Sequence, residues 1–119
     1  MPFTIIDAFG PIVSAKLSGE LSVADVGEIQ VVALDAIKRW GKIKGLLILE
    51  DFQGWKRDAN WGDIKFLIEH DDDIAKIAVV GEETWRDPFY AFLAKGFRSA
   101  AVEYFLPADL AQVRAWLDG

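Results

Sequence analysis

The sequence predicts a single α/β domain over residues 1–119, with the element order ββαβαβαβα and a mixed, mostly parallel sheet covered by helices on both faces. The chain is too short for two domains, because each half could bury only a small core. Apolar runs of strand length alternate with segments of helical periodicity, as in α/β proteins. Two of those runs are apolar without alternation, which is typical of strands buried on both faces.

The first two strands are predicted to form a hairpin. Residues Phe3 to Ala8 make up a mainly apolar run that Gly10 and Pro11 end. Residues Ile12 to Leu17 then alternate between apolar and polar side chains, which is the period of a strand. The short connection between the two runs favours antiparallel pairing.

A long helix follows the hairpin. Ser22 is suited to its N-cap, with Asp25 three residues later as the second member of a capping box. The helix is expected to run to about Trp40 and to end at Gly41. Val31 and Val32 fall on the side predicted to face outward. The side facing the core is predicted to comprise Val26, Ile29, Ala33, Ile37 and Trp40.

Residues Ile43 to Glu50 and Ile74 to Val80 are the two continuous apolar runs, and the first is predicted to be a central parallel strand. Between them, residues Ala59 to His70 have helical periodicity, with Asp58 as the expected N-cap. Phe66 lies on the outward side of this helix. Its core side is predicted to comprise Trp61, Ile64, Leu67 and Ile68.

Pro88 interrupts the helical pattern after Gly81. Either residues 82–86 form a short turn and Asp87 caps a new helix with Pro88 at its first position, or one helix is kinked there. We favour the new helix, whose core side would carry Trp85, Phe89, Phe92 and Leu93. A short strand from Val102 to Leu106 and a closing helix from Pro107 to Leu117 complete the domain. The closing helix is expected to pack through Leu110, Val113 and Leu117.

Composition and charge exclude several classes of function. The net charge is −6 and the basic residues are scattered, which argues against binding to nucleic acid. No apolar run approaches the roughly 20 residues of a transmembrane helix, and no secretory signal is visible at the N-terminus. The chain has no cysteine, which fits a cytoplasmic location and excludes disulfides and thiolate chemistry.

The sequence lacks the residues of a self-contained catalytic or metal site. His70 is the single histidine, and three aspartates follow it directly. At the end of its predicted helix it is expected to have a structural or solvated role that favours the helix dipole, and the alternative is a role as a ligand or general base. Consecutive aspartates cannot all point at one cation, so Asp71 to Asp73 are interpreted as a solvated turn. The serines show no nucleophile-elbow spacing and the glycines form no nucleotide fingerprint. We therefore expect neither an enzyme nor a bound cofactor or metal.

The most promising residues lie where the parallel strands end, because ligands of open α/β sheets bind beyond the carboxyl ends of the strands. Large rings with a few polar groups could form a pocket there for a lipid or another small apolar ligand. The alternative is that the rings complete the thin core of a small domain. The candidate pocket residues are Asp51, Trp55, Trp61, Lys65 and Trp85.

A second candidate surface is formed by apolar residues on outward helix faces, namely Val31, Val32 and Phe66. Apolar and aromatic residues are enriched in the cores of protein interfaces. They favour a contact with a protein partner or a second copy of the chain, so a homodimer is one expectation. The sequence does not determine whether the three residues form one patch.

Three segments together resemble the SpoIIAA-like branch of STAS domains: GKIKGLLILEDFQGW (41–55), NWGDIKFLIEH (60–70) and DIAKIAVVGEETW (73–85). The resemblance covers nearly the whole chain, and it implies a fold that is also related to the lipid-binding CRAL-TRIO proteins. It implies a non-enzymatic protein-interaction or regulatory module. STAS anti-sigma-factor antagonists switch by phosphorylation of a Ser or Thr at the start of the helix after the central strand. Residues 51–60 contain neither, so the resemblance implies a module without that switch.

Overall fold

The computed structural model describes residues 3–7, 10–57, 69–96 and 99–119. Within these ranges the chain forms a five-stranded sheet and three α-helices. The strands are β1 (Phe3–Asp7), β2 (Ile12–Leu21), β3 (Ile43–Trp55), β4 (Ile74–Val80) and β5 (Ala101–Phe105). The helices are α1 (Val23–Trp40), α2 (Arg86–Phe92) and α3 (Leu110–Asp118).

The strands lie in the sheet in chain order, from β1 at one edge to β5 at the other. β1 and β2 pair antiparallel, with Phe3 opposite Leu17, which confirms the predicted hairpin. β2, β3, β4 and β5 are parallel neighbours, so the sheet is mixed and mostly parallel as predicted. β3 occupies the central position expected from its continuous apolar sequence.

The sheet separates two hydrophobic cores. One core lies under α1 and α2 and includes Leu17, Ala36 and Phe89. The other lies under α3 and includes Leu46, Val113 and Leu117. Helices therefore cover both faces of the sheet, and the absence of alternation in β3 and β4 follows from burial on both sides.

α1 begins with the predicted capping box. The side chain of Ser22 accepts a hydrogen bond from the backbone N–H of Asp25 at 3.1 Å, and Asp25 Oδ2 accepts one from the N–H of Ser22 at 2.8 Å. The helix ends at Gly41, whose φ of 80° is easily adopted only by glycine.

The buried side of α1 differs from its prediction at two residues. Val32 packs against the core, and the prediction that it faces outward is wrong. A helix that covers a sheet buries a stripe more than 100° wide, which places Val32 beside Ile29 and Ala36. Trp40 is 51% exposed, because it is the last helical residue before the chain reverses at Gly41.

The chain after β4 makes a new helix rather than a kinked one. Residues Glu83–Trp85 form a turn of 3₁₀ helix, and α2 then begins at Arg86. The predicted cap at Asp87 is wrong, since α2 starts before this residue and has no side-chain cap. Pro88 lies in the first turn, where its missing N–H breaks no helical hydrogen bond.

Several boundaries and one core residue also differ. β2 extends to Leu21 and β3 to Trp55, well beyond the predicted ends, and β5 begins one residue earlier than predicted. Leu110 is 46% exposed rather than packed, because the buried contact of α3 starts one turn later at Val113. Most of the helix predicted from residue 59 to residue 70 lies outside the described ranges; its last two residues are helical.

Candidate functional site at the carboxyl ends of the strands

The central strand β3 extends past its neighbour β4. Pairing with β4 ends at Ile48 opposite Val80, whereas pairing with β2 continues to Trp55 opposite Leu21. Residues 49–55 therefore form an overhang at the carboxyl end of the sheet. Within it Asp51 has a φ of 54° and Gly54 a φ of 107°, and the register with β2 shifts nearby. Such irregularities bend a strand and redirect its side chains.

Aromatic rings from the overhang pack against rings from the segment after β4. The Phe52 ring lies 4.9 Å from Trp85 and 5.3 Å from Trp55, in edge-to-face arrangements. Trp55 in turn lies 5.0 Å from Phe89 and 5.1 Å from Phe92. These five residues are called the aromatic cluster below. Because the rings fill the space between one another, the cluster is a hydrophobic layer of the first core.

A depression of about 180 Å³ lies on the outer side of this cluster. Its polar wall comes from Asp51, Gln53 and Glu82, and its apolar wall from Leu49, Phe52 and Trp85. The volume is below the roughly 300–1,000 Å³ of sites for drug-sized ligands. The structure thus places two of the predicted pocket residues, Asp51 and Trp85, on one cavity. Trp55 belongs to the aromatic cluster instead, and Trp61 and Lys65 lie outside the described residues.

Sequence reasoning missed four residues of the depression, namely Leu49, Phe52, Gln53 and Glu82. Glu82 could have been predicted, because it directly follows Gly81 at the carboxyl end of β4. The expectation that ligands bind at the carboxyl ends of the strands had already selected Trp85. Gln53 was harder to find, since residues 51–55 looked like a loop. In the strand, Gln53 lies two residues from Asp51 on the same side of the overhang.

Because Gly81 has no side chain, the segment that carries Glu82 lies close to the sheet. A Cβ at this position would lie 2.7 Å from Leu49 Cδ1 and 2.7 Å from Tyr104 Oη. The hydroxyl of Tyr104 donates a hydrogen bond to the carbonyl of Glu82 at 2.5 Å. Burial raises the pKa of Tyr104 to about 12, with Arg86 acting in the opposite direction. The hydroxyl therefore keeps its proton at neutral pH and holds the backbone of Glu82 in place.

The Trp85 ring also packs close to the backbone at Gly54. A Cβ on Gly54 would lie 3.4 Å from Trp85 Cη2, at the close end of ordinary van der Waals contact. The positive φ of Gly54 is the main reason for glycine at this position. The Trp85 ring is held by its contacts with the rings of Phe52 and Trp55.

A SpoIIAA-like family model matches residues 12–118. The chain belongs to the SpoIIAA-like family. One solved structure similar to this SpoIIAA-like chain is an uncharacterized protein of the DUF3478 family from Shewanella loihica PV-4, which has a SpoIIAA-like fold. The two share 20% sequence identity over 89% of this chain and 83% of that one, with a TM-score of 0.67. At this identity the likeness supports the fold alone. No curated protein matches the chain significantly.

The other residues singled out from the sequence of this SpoIIAA-like chain are engaged in local contacts. His70 Nδ1 lies 3.0 Å from Asp73 Oδ2. The hydroxyl of Ser99 lies 2.7 Å from Asp71 Oδ2 and 3.0 Å from Asp72 Oδ1. Among the described residues, no group of three or more acidic or histidine side chains is arranged to hold a metal ion. In the same ranges, no helix is long and apolar enough to cross a membrane.

The two candidate interface residues that the structure describes differ in their surroundings. Val31 is 67% exposed, Val32 packs into the core, and Phe66 lies outside the described residues. Trp40 is a second exposed apolar residue of α1, but it lies nine positions after Val31, which places the two on opposite sides of the helix. An association through Val31 stays a prediction.

Proposed function

We propose that this SpoIIAA-like chain is a non-enzymatic protein-interaction module that contacts its partner at the carboxyl end of the sheet. The observation that carries the proposal is the packing of the aromatic cluster. Its rings occupy the space that an apolar ligand would need, with centre separations of 4.9–6.0 Å. What remains is a small polar depression at the surface, which suits contact with another protein better than enclosure of a lipid.

The side chains around the depression support a role in binding rather than catalysis. The described residues that line it include no Ser, Thr, Cys, Lys or His. Among the described lining residues, attack by a hydroxyl, thiol, amine or imidazole therefore has no side chain to carry it, and the ionisable groups of the site are the carboxylates of Asp51 and Glu82. A convergent set of acid, base and nucleophile is the minimum that most such mechanisms require.

The module is proposed to act without the phosphorylation switch of its STAS relatives. Residues 51–60 contain no Ser or Thr. The described part of this segment consists of the β3 overhang followed by Lys56 and Arg57. A phosphate therefore has no hydroxyl acceptor there, and partner binding is expected to be constitutive.

Site-specific photo-crosslinking tests the interaction in the cells from which the protein comes. A photoreactive residue at Gln53 probes the depression, and the same residue at Gln112, an exposed position of α3, is the matched control. We expect a discrete protein adduct from position 53 that is absent from position 112. The same products from both positions, or none from position 53, would contradict the proposal.

One observation favours a second function, a carrier or sensor of a small ligand. The indole N–H of Trp55 is buried and has no hydrogen-bond acceptor among the described residues. A buried unpaired donor costs roughly 1–3 kcal/mol, which an acceptor on a bound ligand would recover. Native mass spectrometry of the protein purified from its own cells tests this function. A retained adduct that organic extraction removes would support it, and a bare polypeptide mass would count against it.

A further inference from the structure

The depression lies between two pairs of consecutive acidic residues, Glu50-Asp51 and Glu82-Glu83. One member of each pair is already engaged by a cation. Glu50 lies 3.2 Å from Lys16 Nζ, and Glu83 lies 3.4 Å from Arg86 Nη1. Within the described part of the chain, the other members, Asp51 and Glu82, make no ion pair, and these two line the depression.

The remaining walls favour a flat cation. Trp85 is partly exposed and lines the depression, and a guanidinium group packs against an indole ring more readily than an ammonium group does. Gln53 adds an amide oxygen as a further acceptor beside the two carboxylates. The volume of about 180 Å³ is suited to one long side chain rather than to a whole metabolite.

We propose that the depression binds an arginine side chain of the protein partner. This deepens the proposed function and rests on it. The guanidinium lies against Trp85 and donates hydrogen bonds to the carboxylates of Asp51 and Glu82. The nearby guanidinium of Arg86 does not take this place, because it pairs with Glu83 and lies 6.0 Å from the centre of the Tyr104 ring.

The test is an NMR titration of the ¹⁵N-labelled protein with N-acetyl-arginine amide. We expect saturable shifts of the Trp85 indole N–H and of the backbone amides of Asp51 and Glu82, with millimolar affinity. N-acetyl-citrulline amide, which has a similar shape but no charge, should cause no saturable shift. N-acetyl-lysine amide should bind several-fold more weakly. An arginine probe that causes no saturable shift, or that binds no better than either of the other two, would overturn the proposal.

Two variants locate the binding. Asp51→Asn keeps a residue that tolerates the positive φ, and Glu82→Gln keeps the length of its side chain. Each should weaken the arginine probe roughly tenfold, which corresponds to about 1.4 kcal/mol. Glu28→Gln removes an equal charge from an exposed position of α1 and should leave the affinity unchanged. Equal losses in all three variants would indicate a general effect of net charge and refute the site.

The same variants separate this inference from the function on which it rests. The Asp51→Asn/Glu82→Gln double variant is crosslinked through position 53 as described above. Loss of the partner adduct supports arginine recognition. An adduct that persists overturns arginine recognition while the interaction module stands. A wild-type protein that binds the arginine probe but gives no adduct contradicts the module alone.

Discussion

Replacing Gly81 with alanine tests whether the close approach of Leu49 and Tyr104 to this residue positions the turn after β4. The new methyl group would lie 2.7 Å from both Leu49 Cδ1 and Tyr104 Oη, and 3.0 Å from Leu49 Cβ. Gly81 is not among the residues with positive φ, so the expected cost is steric. Leu49 belongs to the central strand and Tyr104 donates to Glu82, which leaves neither side chain free to move away without losing contacts.

The magnitude follows from two contributions. Overfilling a packed site costs about 1–3 kcal/mol. Displacing the Tyr104 hydroxyl also weakens its hydrogen bond to the carbonyl of Glu82, which contributes about 1 kcal/mol. We therefore expect the free energy of unfolding to fall by about 2–4 kcal/mol and Tm by roughly 8–16 °C.

Urea denaturation followed by circular dichroism measures this loss, and Gly45→Ala is the matched control. A Cβ at Gly45 would meet Ile77 at an ordinary 3.8 Å, so this variant should be neutral or stabilised by up to about 1 kcal/mol. Tyr104→Phe removes one of the two clashing atoms, and it should therefore cost less in the Gly81→Ala background than in the wild type. If Gly81→Ala unfolds at the same urea concentration as Gly45→Ala, Leu49 and Tyr104 do not constrain position 81.

Three further predictions concern stability. Ser22→Ala removes the capping acceptor of α1 and should cost about 1 kcal/mol in urea denaturation; a change below about 0.3 kcal/mol would contradict the role of the cap. Lys76 Nζ donates to the carbonyl of Trp116 at 2.7 Å near the end of α3 and lies 5.1 Å from its ring centre. Lys76→Met should therefore speed amide hydrogen exchange in α3 several-fold while leaving α1 unchanged, and equal rates in wild type and variant would refute this. Burial raises the pKa of Tyr104 to about 12, above its value of 10.0 when unfolded, so the stability from its bound proton is complete below pH 10 and is lost as the pH rises towards 12. Tyr104→Phe should make the decline between those pH values shallower, and an unchanged slope would exclude Tyr104 as its source.

Sequence reasoning succeeded where the physical cause is local or periodic. The Ser22–Asp25 capping box depends on residues three positions apart, and the continuous apolar runs of β3 and β4 directly reflect burial on both faces. It failed where the cause lies elsewhere in the chain. Residues 51–55 look like a loop, but they continue β3 because they pair with the end of β2.

The candidate site, too, could be predicted from the sequence only in part. The rule that ligands bind at the carboxyl ends of parallel strands led to Asp51 and Trp85, both of which line the depression. It could not separate a lining residue from a packed one, so Trp55 was expected beside them although its ring packs against Phe89 and Phe92. The need for glycine at position 81 was also hidden, because Leu49 and Tyr104 approach it from distant parts of the sequence.

Burial of β4 on both faces changes what fixes its register. Along this strand Ile77 and Val79 enter the core under α1 and α2, whereas Ala78 and Val80 enter the core under α3. In a strand with one wet face, a slip by one residue is opposed because it exposes apolar side chains to water. Across the apolar residues 77–80 the same slip would exchange large and small side chains between the two cores, so misfits of volume oppose it there. Alanine and isoleucine on this strand therefore distinguish one side from the other by size, in a stretch where polarity carries no such information.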